Sequence, residues 1–307
     1  MSDVNLAQTI CGLTFKNPVL AASGTFGYGD AFADFYDVSC LGGFVTKSVT
    51  LEPRAGNEPP RIIETPSGML NAIGLQNVGL NVFIDRILPQ LETCDTTVIV
   101  NVAGTSADDY KAVCRGLDGF GAVKAFEINI SCPNVKEGCI TFGTSPSSAS
   151  SLVRVLRAET GKPLIVKLSP NVTDIVEIAL AVEDDGADAV SLINTLTGMV
   201  VDVELRRPML ANVTGGLSGP AIRPVAVRMV YQVARAVRIP VIGIGGIFCA
   251  RDALEFIIAG ASLVQVGCGM FVKPKLPLEV IDGIREYLKR HSLKSVTDLV
   301  GSIRTEE

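Results

Sequence analysis

Residues 164–193 read LIVKLSPNVTDIVEIALAVEDDGADAVSLI, and this stretch decides the fold class. The apolar runs at 164–168 and 189–193 each predict a short buried strand. Between them, residues 173–185 carry apolar side chains at every third or fourth position, which predicts an amphipathic helix. A strand, a helix and a second strand form a βαβ unit, so the two strands are expected to lie parallel in one sheet.

The same alternation runs along the whole chain. The predicted strands are residues 18–22, 44–49, 97–102, 125–130, 164–168, 189–193, 241–243 and 263–266. Further helices are predicted at 151–160, 225–237 and 250–259. Eight repeats favour an α/β fold closed as a TIM (β/α)8 barrel over an open doubly wound sheet.

Three segments are additional to this repeat. Residues 6–10 and 13–16 predict an N-terminal β-hairpin that closes the bottom of the barrel. Connections of about 45 residues follow the second and the sixth strands, and they predict insertions at the C-terminal face, where barrel enzymes build their sites. No linker or low-complexity segment divides the chain, so residues 1–307 are expected to form a single domain.

Composition excludes several classes of function. Of the 307 residues 48% are hydrophobic, but no apolar run approaches the ~18 residues that span a bilayer, and no export signal is recognised at the N-terminus. The net charge of −5 with dispersed Lys and Arg argues against nucleic-acid binding. Eight cysteines without a framework spacing and one histidine predict no disulfide and no metal site, in a cytoplasmic protein.

Polar residues and glycines follow the predicted strands, at the end where a barrel places its site. They are Ser23, Lys47, Ser48, Asn101, Asn129, Cys132, Lys167, Asn194, Thr195, Gly245, Gly246, Gly267 and Cys268. A capping or turn role explains Ser23 or Asn101 equally well when each is taken alone. Two lysines in such a ring are harder to explain without an anionic or electron-rich ligand.

Two glycine-rich turns indicate what this ligand contains. Gly245-Gly246 and Gly267-Cys268-Gly269 follow the seventh and eighth strands, where barrels bind phosphate through backbone N–H groups. Either pair alone is also explained by a tight turn. Together with Lys47 and Lys167 they suit a phosphorylated planar cofactor that lies across the barrel.

The segment EINISCPN at 127–134 delivers a cysteine and two asparagines from a strand into a loop. Cys132 is therefore a candidate reactive thiol, although a free cysteine is more often an inert buried residue. The loop that continues to about residue 146 is rich in small residues, and it is interpreted either as a lid or as an ordinary surface loop.

These motifs together resemble the dihydroorotate dehydrogenases over nearly the whole chain. The matching strings are ASGTFG at 22–27, TKS at 46–48, NAIGLQN at 71–77, NISCPNV at 129–135, VKLSPN at 166–171, INT at 193–195 and GGLSGPAI at 215–222. NVKEG at 134–138 and NTLTGM at 194–199 make the resemblance closest to the catalytic subunit of the NAD-linked class, 1B.

The resemblance implies a barrel that binds FMN and oxidises dihydroorotate to orotate in pyrimidine synthesis. The residues implied to contact FMN are Ser23, Lys47, Ser48, Asn101, Asn129, Lys167, Ile193, Gly219, Gly245, Gly246, Gly267 and Cys268. Those implied to contact the substrate are Lys47, Asn71, Ala72, Ile73, Gly74, Leu75, Asn129, Asn134, Asn194 and Thr195. Cys132 is implied to be the base that removes the C5 proton while hydride leaves C6 for flavin N5.

The resemblance also implies a partner. In this class a second subunit with FAD and a [2Fe–2S] cluster passes electrons to NAD+, and catalytic subunits pair as a dimer within a heterotetramer. The alternatives are the homodimeric fumarate-using class 1A, a Schiff-base aldolase that would use Lys167 or Lys47, and a non-catalytic ligand-binding barrel. The chain departs from the family pattern at Cys268, where threonine is common, and at Cys139, where glycine is frequent.

Overall fold

The computed structural model describes residues 4–130 and 142–305. Its strands are β1 (Gln8–Ile10), β2 (Leu13–Phe15), β3 (Val19–Ala21), β4 (Gly43–Val45), β5 (Ile62–Thr65), β6 (Gly68–Asn71), β7 (Thr97–Val102), β8 (Val123–Asn129), β9 (Leu164–Lys167), β10 (Ala189–Leu192), β11 (Leu196–Gly198), β12 (Val201–Asp202), β13 (Arg207–Pro208), β14 (Gly215–Ser218), β15 (Val241–Ile244) and β16 (Leu263–Val266). Eight of them, β3, β4, β7, β8, β9, β10, β15 and β16, form a closed barrel in chain order.

The helices lie between the barrel strands, within the first insertion and after the last strand. They are α1 (Asp30–Ala33), α2 (Gly79–Val82), α3 (Leu88–Leu91), α4 (Ala107–Asp118), α5 (Pro146–Arg157), α6 (Ile175–Asp184), α7 (Arg223–Ala234), α8 (Ala250–Ala259), α9 (Gly269–Val272) and α10 (Leu276–Arg290). A π-helical turn at Phe83–Ile87 joins α2 to α3, and 3₁₀ turns lie at Val38–Cys40, Phe142–Thr144, Pro220–Ile222 and Val296–Leu299.

All barrel strands pair in parallel, which confirms the predicted TIM barrel. The strands are buried on both faces because helices cover the outside and side chains fill the inside. This explains their continuous apolar runs, in which the alternation of a half-exposed strand is absent.

Element boundaries differ from the sequence prediction by more than two residues in three places. The strand predicted at 44–49 ends at Val45, although Val49 still forms an isolated bridge with Val102. The helix predicted at 151–160 is Pro146–Arg157, because proline fits the first turn of a helix. The helix predicted at 225–237 is Arg223–Ala234, with its proline again in the first turn.

The predicted N-terminal hairpin is confirmed as β1 and β2. Ile10 and Phe15 join a cluster of buried side chains inside the barrel that includes Leu20, Ile165 and Ile242. These residues lie in the N-terminal halves or middles of their strands, so the hairpin seals the end of the barrel opposite the strand carboxyl ends.

The two long insertions meet in one structure. β5 and β6 come from the insertion after β4, and β11 and β14 come from the insertion after β10. They form a four-stranded antiparallel sheet in the order β11-β14-β6-β5, in which Asn71 pairs with Gly216. Both insertions follow strand carboxyl ends, so this sheet, here called the insertion sheet, belongs to the C-terminal face as predicted.

Truncating a buried side chain of the hairpin that closes the barrel is expected to lower the free energy of unfolding. Phe15 is 1% exposed, so Phe15→Ala is expected to lower the free energy of unfolding by about 3–5 kcal/mol. Thr14→Ala, at the exposed neighbouring position of β2, is the matched control and is expected to cost less than about 1 kcal/mol. Urea unfolding followed by circular dichroism measures both. Equal losses in the two variants would contradict the packing described.

Candidate functional site

A cavity of about 240 Å³ opens at the C-terminal face of the barrel. Its walls come from the loops after β3, β4, β10, β15 and β16, from the ends of β8 and β9, and from the insertion sheet. The predicted site residues that line it are Ser23, Lys47, Ser48, Asn71, Ile73, Gly74, Leu75, Asn129, Lys167, Ile193, Asn194, Thr195, Gly245, Gly246, Gly267 and Cys268. Barrel strands and both insertions therefore contribute to one pocket.

Three predicted residues do not line this cavity. Asn101 is fully buried, and its Oδ1 accepts a hydrogen bond of 2.5 Å from the hydroxyl of Ser48. Ala72 is packed in a small apolar cluster beneath the insertion sheet. Gly219 lies behind Gly246, since a Cβ added to Gly246 would stand 2.7 Å from the Gly219 carbonyl oxygen. The predicted Cys132 and Asn134 lie outside the described residues.

The glycine-rich end of the cavity exposes backbone. Gly246 has a φ of +74°, a left-handed conformation that favours glycine. Within the described part of the chain, the N–H groups of Gly246 and Ile247 donate no hydrogen bond, and both residues line the cavity. Backbone N–H groups that donate no hydrogen bond and belong to residues of a cavity wall are suited to an anion such as phosphate.

The floor of the cavity contains an ion pair that the sequence reading did not identify. Lys167 lines the cavity, and its Nζ lies 3.3 Å from Oε1 of Glu127, a carboxylate with no solvent exposure. The other donors to this carboxylate are Asn101, Ser191 and Gln265. The signal that could have found it is a glutamate among the apolar residues 125–130, where a charge needs a buried partner.

Lys47 lies in a different electrostatic environment. It forms no ion pair with any carboxylate in the described ranges, and the charge that acts on its pKa is that of Arg61. Burial first, and then the positive charge of Arg61, lower the pKa of Lys47 from its ordinary value of 10.5. An anion bound beside Lys47 would relieve both effects, so this part of the cavity is suited to a negatively charged ligand.

Amide side chains occupy the wall between the two lysines. Asn194 donates to Oδ1 of Asn129 over 3.5 Å, and the Tyr110 hydroxyl holds the Asn129 carbonyl at 2.7 Å. Asn171 supports the wall from behind, because it donates to the Thr195 carbonyl at 3.0 Å. Carboxamides carry both donors and acceptors, so they can pair with a ring that presents amide groups.

The cavity also contains residues that sequence reasoning missed. Ile62, Met69 and Ser218 reach it from the insertion sheet, and Phe271 reaches it from α9. Phe271 is 56% exposed, so an apolar ring stands at the mouth of the cavity. The three residues of the insertion sheet could not be found from strand ends, because their place depends on pairing between distant insertions.

Neither a metal-binding cluster nor a membrane-spanning helix is found in residues 4–130 and 142–305. These residues contain no group of three or more His, Cys, Asp or Glu side chains that could hold a metal ion. No helix among them is long and apolar enough to cross a bilayer.

The fold and cavity define a barrel enzyme with glycine-rich turns, amide side chains and two lysines around one pocket. The family model for dihydroorotate dehydrogenase matches residues 5–288, and the chain belongs to this family. It is 55% identical to a protein of Citrifermentans bemidjiense over 303 residues, 99% of each chain. It is 58% identical to one of Trichlorobacter lovleyi over 298 residues, 97% of this chain and 98% of the other.

A further relative from Bacteroides thetaiotaomicron is 52% identical over 299 residues, 97% of this chain and 99% of the other. All three relatives are named dihydroorotate dehydrogenase B (NAD(+)), catalytic subunit. The resemblance found in the sequence motifs is therefore confirmed. The NAD-linked class is favoured over the fumarate-using class and over an aldolase.

The position of Cys268 in the cavity wall predicts how fast its thiol is alkylated. Burial raises the pKa of its thiol, and a hydrogen bond with Ser218 opposes this only in part. At pH 8 we expect iodoacetamide to alkylate Cys268 at least about tenfold more slowly than the exposed Cys40 and Cys249. Peptide mass spectrometry over a time course measures the three rates. A Cys268 that reacts as fast as the exposed cysteines would contradict the burial.

Proposed function

We propose that this chain is the catalytic subunit of an NAD-linked dihydroorotate dehydrogenase and oxidises dihydroorotate to orotate in pyrimidine biosynthesis. The observation that carries the proposal is one cavity that is lined by both lysines, the amide wall and the glycine turns. The two lysines and the amide side chains fall within motifs that resemble those of the family, and the relatives with that name cover the whole length of the barrel.

FMN is the proposed cofactor, and the described residues fit it at two places. The N–H groups of Gly246 and Ile247, which donate no hydrogen bond to the described residues, suit its phosphate. Gly267 and Cys268 line the same cavity. Lys167 suits the pyrimidine edge, where negative charge develops on reduction. The proposed contacts are Ser23, Lys47, Ser48, Asn129, Lys167, Ile193, Gly245, Gly246, Gly267 and Cys268 from the cavity wall, with Asn101 and Gly219 behind it. When bound, FMN supplies the acceptor for the hydride from substrate C6.

The substrate is proposed to bind between Lys47 and the amide wall. Lys47 would meet the carboxylate of dihydroorotate, and Asn71, Asn129 and Asn194 would pair with its ring amides. Ile73, Gly74, Leu75 and Thr195 would enclose it, Ala72 supports this segment from beneath, and Asn134 is retained as a proposed contact from the motif. The insertion sheet would exclude water from the reacting atoms.

Cys132 is the proposed base, because it stands in the family motif NISCPNV. An ordinary thiol with a pKa near ~8.5 is mostly protonated at neutral pH, so the base needs a site that favours the thiolate. A nearby cation has that effect, and Lys47 is a cation of the same site. Cys132 would remove the C5 proton as hydride leaves C6.

The electrons are proposed to leave through a second protein. The relatives are named catalytic subunits, which supports a partner subunit, and we propose that this partner carries FAD and a [2Fe–2S] cluster and delivers electrons to NAD+. We further propose a dimer of catalytic subunits within a heterotetramer, with the whole chain acting as one FMN-binding domain. A cytoplasmic location completes the proposal, because a reducing compartment keeps the catalytic thiol free.

Anaerobic reduction tests the proposed reaction. The FMN-loaded chain is expected to lose its yellow absorbance when dihydroorotate is added, and Cys132→Ser is expected to slow this by at least ~10²-fold, since a general base contributes about 10²–10⁴-fold. Stopped-flow absorbance measures the rate, and orotate titration shows that the variant still binds ligand.

The control for this test is Cys268→Ser, which alters a cavity cysteine that the proposal does not use as a base. It is expected to reduce the rate far less than Cys132→Ser. A chain that cannot take up FMN would contradict the proposed function. Unchanged reduction in Cys132→Ser would contradict the role of Cys132 alone.

The lowered pKa of Lys47 predicts how orotate binding depends on pH. Only the protonated lysine attracts the carboxylate, so affinity is full below the pKa of the ligand-free Lys47 and falls as the pH rises through it, by about tenfold per unit. Because that pKa lies below the ordinary 10.5, the decline begins earlier than it would for an exposed lysine. Flavin difference spectra from pH 7 to above 10 measure it, in the Cys132→Ser background.

Two variants check the origin of this decline. Lys47→Gln is expected to bind orotate weakly and without the decline. Arg61→Gln removes the neighbouring positive charge and is expected to move the decline to higher pH. A decline that persists in Lys47→Gln would assign it to another group.

A further inference from the structure

Glu127 is buried at the centre of the barrel and is not part of the cavity wall. Its residue exposure is 0%, and it lies on β8 two positions before Asn129, which does line the cavity. A buried carboxylate is costly unless charge and hydrogen bonds compensate for it. Its contacts therefore show what it does.

Four donors meet the two oxygens of this carboxylate. Oε1 accepts from Asn101 Nδ2 at 2.8 Å and lies 3.3 Å from Lys167 Nζ. Oε2 accepts from Ser191 Oγ at 3.0 Å and from Gln265 Nε2 at 2.9 Å. The lysine is the cation of this group, and the other three partners are neutral. The arrangement fits a carboxylate, which only accepts hydrogen bonds.

Two of these contacts reach the cavity. Lys167 lines it directly, whereas Asn101 reaches it through the Ser48 hydroxyl. The carboxylate of Glu127 thus lies behind a lysine and a serine that are both proposed to contact FMN. An ion pair in this orientation presents its positive end to the cavity and keeps its negative end behind it.

We propose that Glu127 is a positioning residue that fixes Lys167 beneath the flavin and offsets its charge, and thereby sets the flavin's reduction potential. This inference rests on the proposed binding of FMN. Reduction places negative charge on the pyrimidine edge of the flavin, so a nearby lysine favours it and a carboxylate opposes it. With Glu127 behind Lys167, the flavin experiences a dipole in place of a full positive charge.

Glu127→Gln tests the proposal, since glutamine keeps the shape and removes the charge. The midpoint potential of bound FMN, measured against a reference dye, is expected to rise by about 30 mV or more, which is a tenfold change in the two-electron equilibrium. Ser191→Ala is the matched control, because it removes a donor to the same carboxylate but leaves Lys167 in place. It is expected to change the equilibrium less than twofold.

The dependence on Lys167 is tested by a double-mutant cycle with Lys167→Gln. The effect of Glu127→Gln is expected to shrink to less than half when Lys167 is absent. Lys167→Gln leaves a buried carboxylate without a cation, and this single variant can fail to fold for that reason. In that case the midpoint potential of the Glu127→Gln/Lys167→Gln variant alone tests the dependence on Lys167. Its potential is expected to lie below that of the wild type, since the positive end of the pair is gone.

The outcomes separate this inference from the proposed function. A wild-type chain that binds no FMN would overturn both. A wild-type chain that binds FMN, with an unchanged or lower potential in Glu127→Gln, would overturn the role of Glu127 only. A shift of the same size in Ser191→Ala, or a double variant at or above the wild-type potential, would overturn it as well.

Discussion

The buried carboxylate of Glu127 is the constraint on which the site depends. Its donors come from β7, β9, β10 and β16, so it links four other strands to β8. β16 and β8 are far apart in the order of strands, and only closure of the barrel brings Gln265 within reach. Removing one partner from a buried ion pair typically costs about 3–5 kcal/mol because it leaves an uncompensated charge, so an arrangement that separated Glu127 from Lys167 would be disfavoured.

The barrel interior is divided into two layers of opposite character. The lower layer is apolar and is closed by Ile10 and Phe15 of the N-terminal hairpin. The upper layer contains Glu127, Lys167 and the amides that surround them. Because the lower layer excludes water from below, the charges above it act in a medium of low polarity, where each interaction is stronger than in solution. The hairpin therefore contributes to the electrostatics of a site that it does not touch.

The sequence predicted features that depend on local pattern. The eight strands and the hairpin follow from short apolar runs and nearby turns, and α8 has the predicted bounds of 250 and 259. The helices predicted to begin at residues 151 and 225 begin earlier, at Pro146 and Arg223, and each has a proline in its first turn. Most cavity residues were predicted because parallel strands end on the same face of a barrel.

The remaining features depend on contacts between distant residues. Asn71 and Gly216 pair across 145 positions, and no local signal shows that the two insertions form one sheet. Asn101 is predicted to contact the cofactor, and that contact stays a proposal, but its side chain bonds with Glu127 and with Ser48. Its position at a strand end does not show these partners, because they come from neighbouring strands of the closed barrel. Glu127 itself lay within the quoted motif, but its role depends on four partners that closure of the barrel brings together.

The two lysines illustrate how one cavity can serve two ligands. Lys167 is paired with a carboxylate, so its charge is offset before any ligand binds. Lys47 stands near Arg61, and no ion pair offsets its charge among the residues described, so its charged form is disfavoured until an anion arrives. A ligand carboxylate is therefore drawn to the Lys47 side, whereas a ring that gains charge only on reduction suits the Lys167 side. The same residue type thus performs two tasks, and the difference is set by a glutamate behind one lysine and an arginine beside the other.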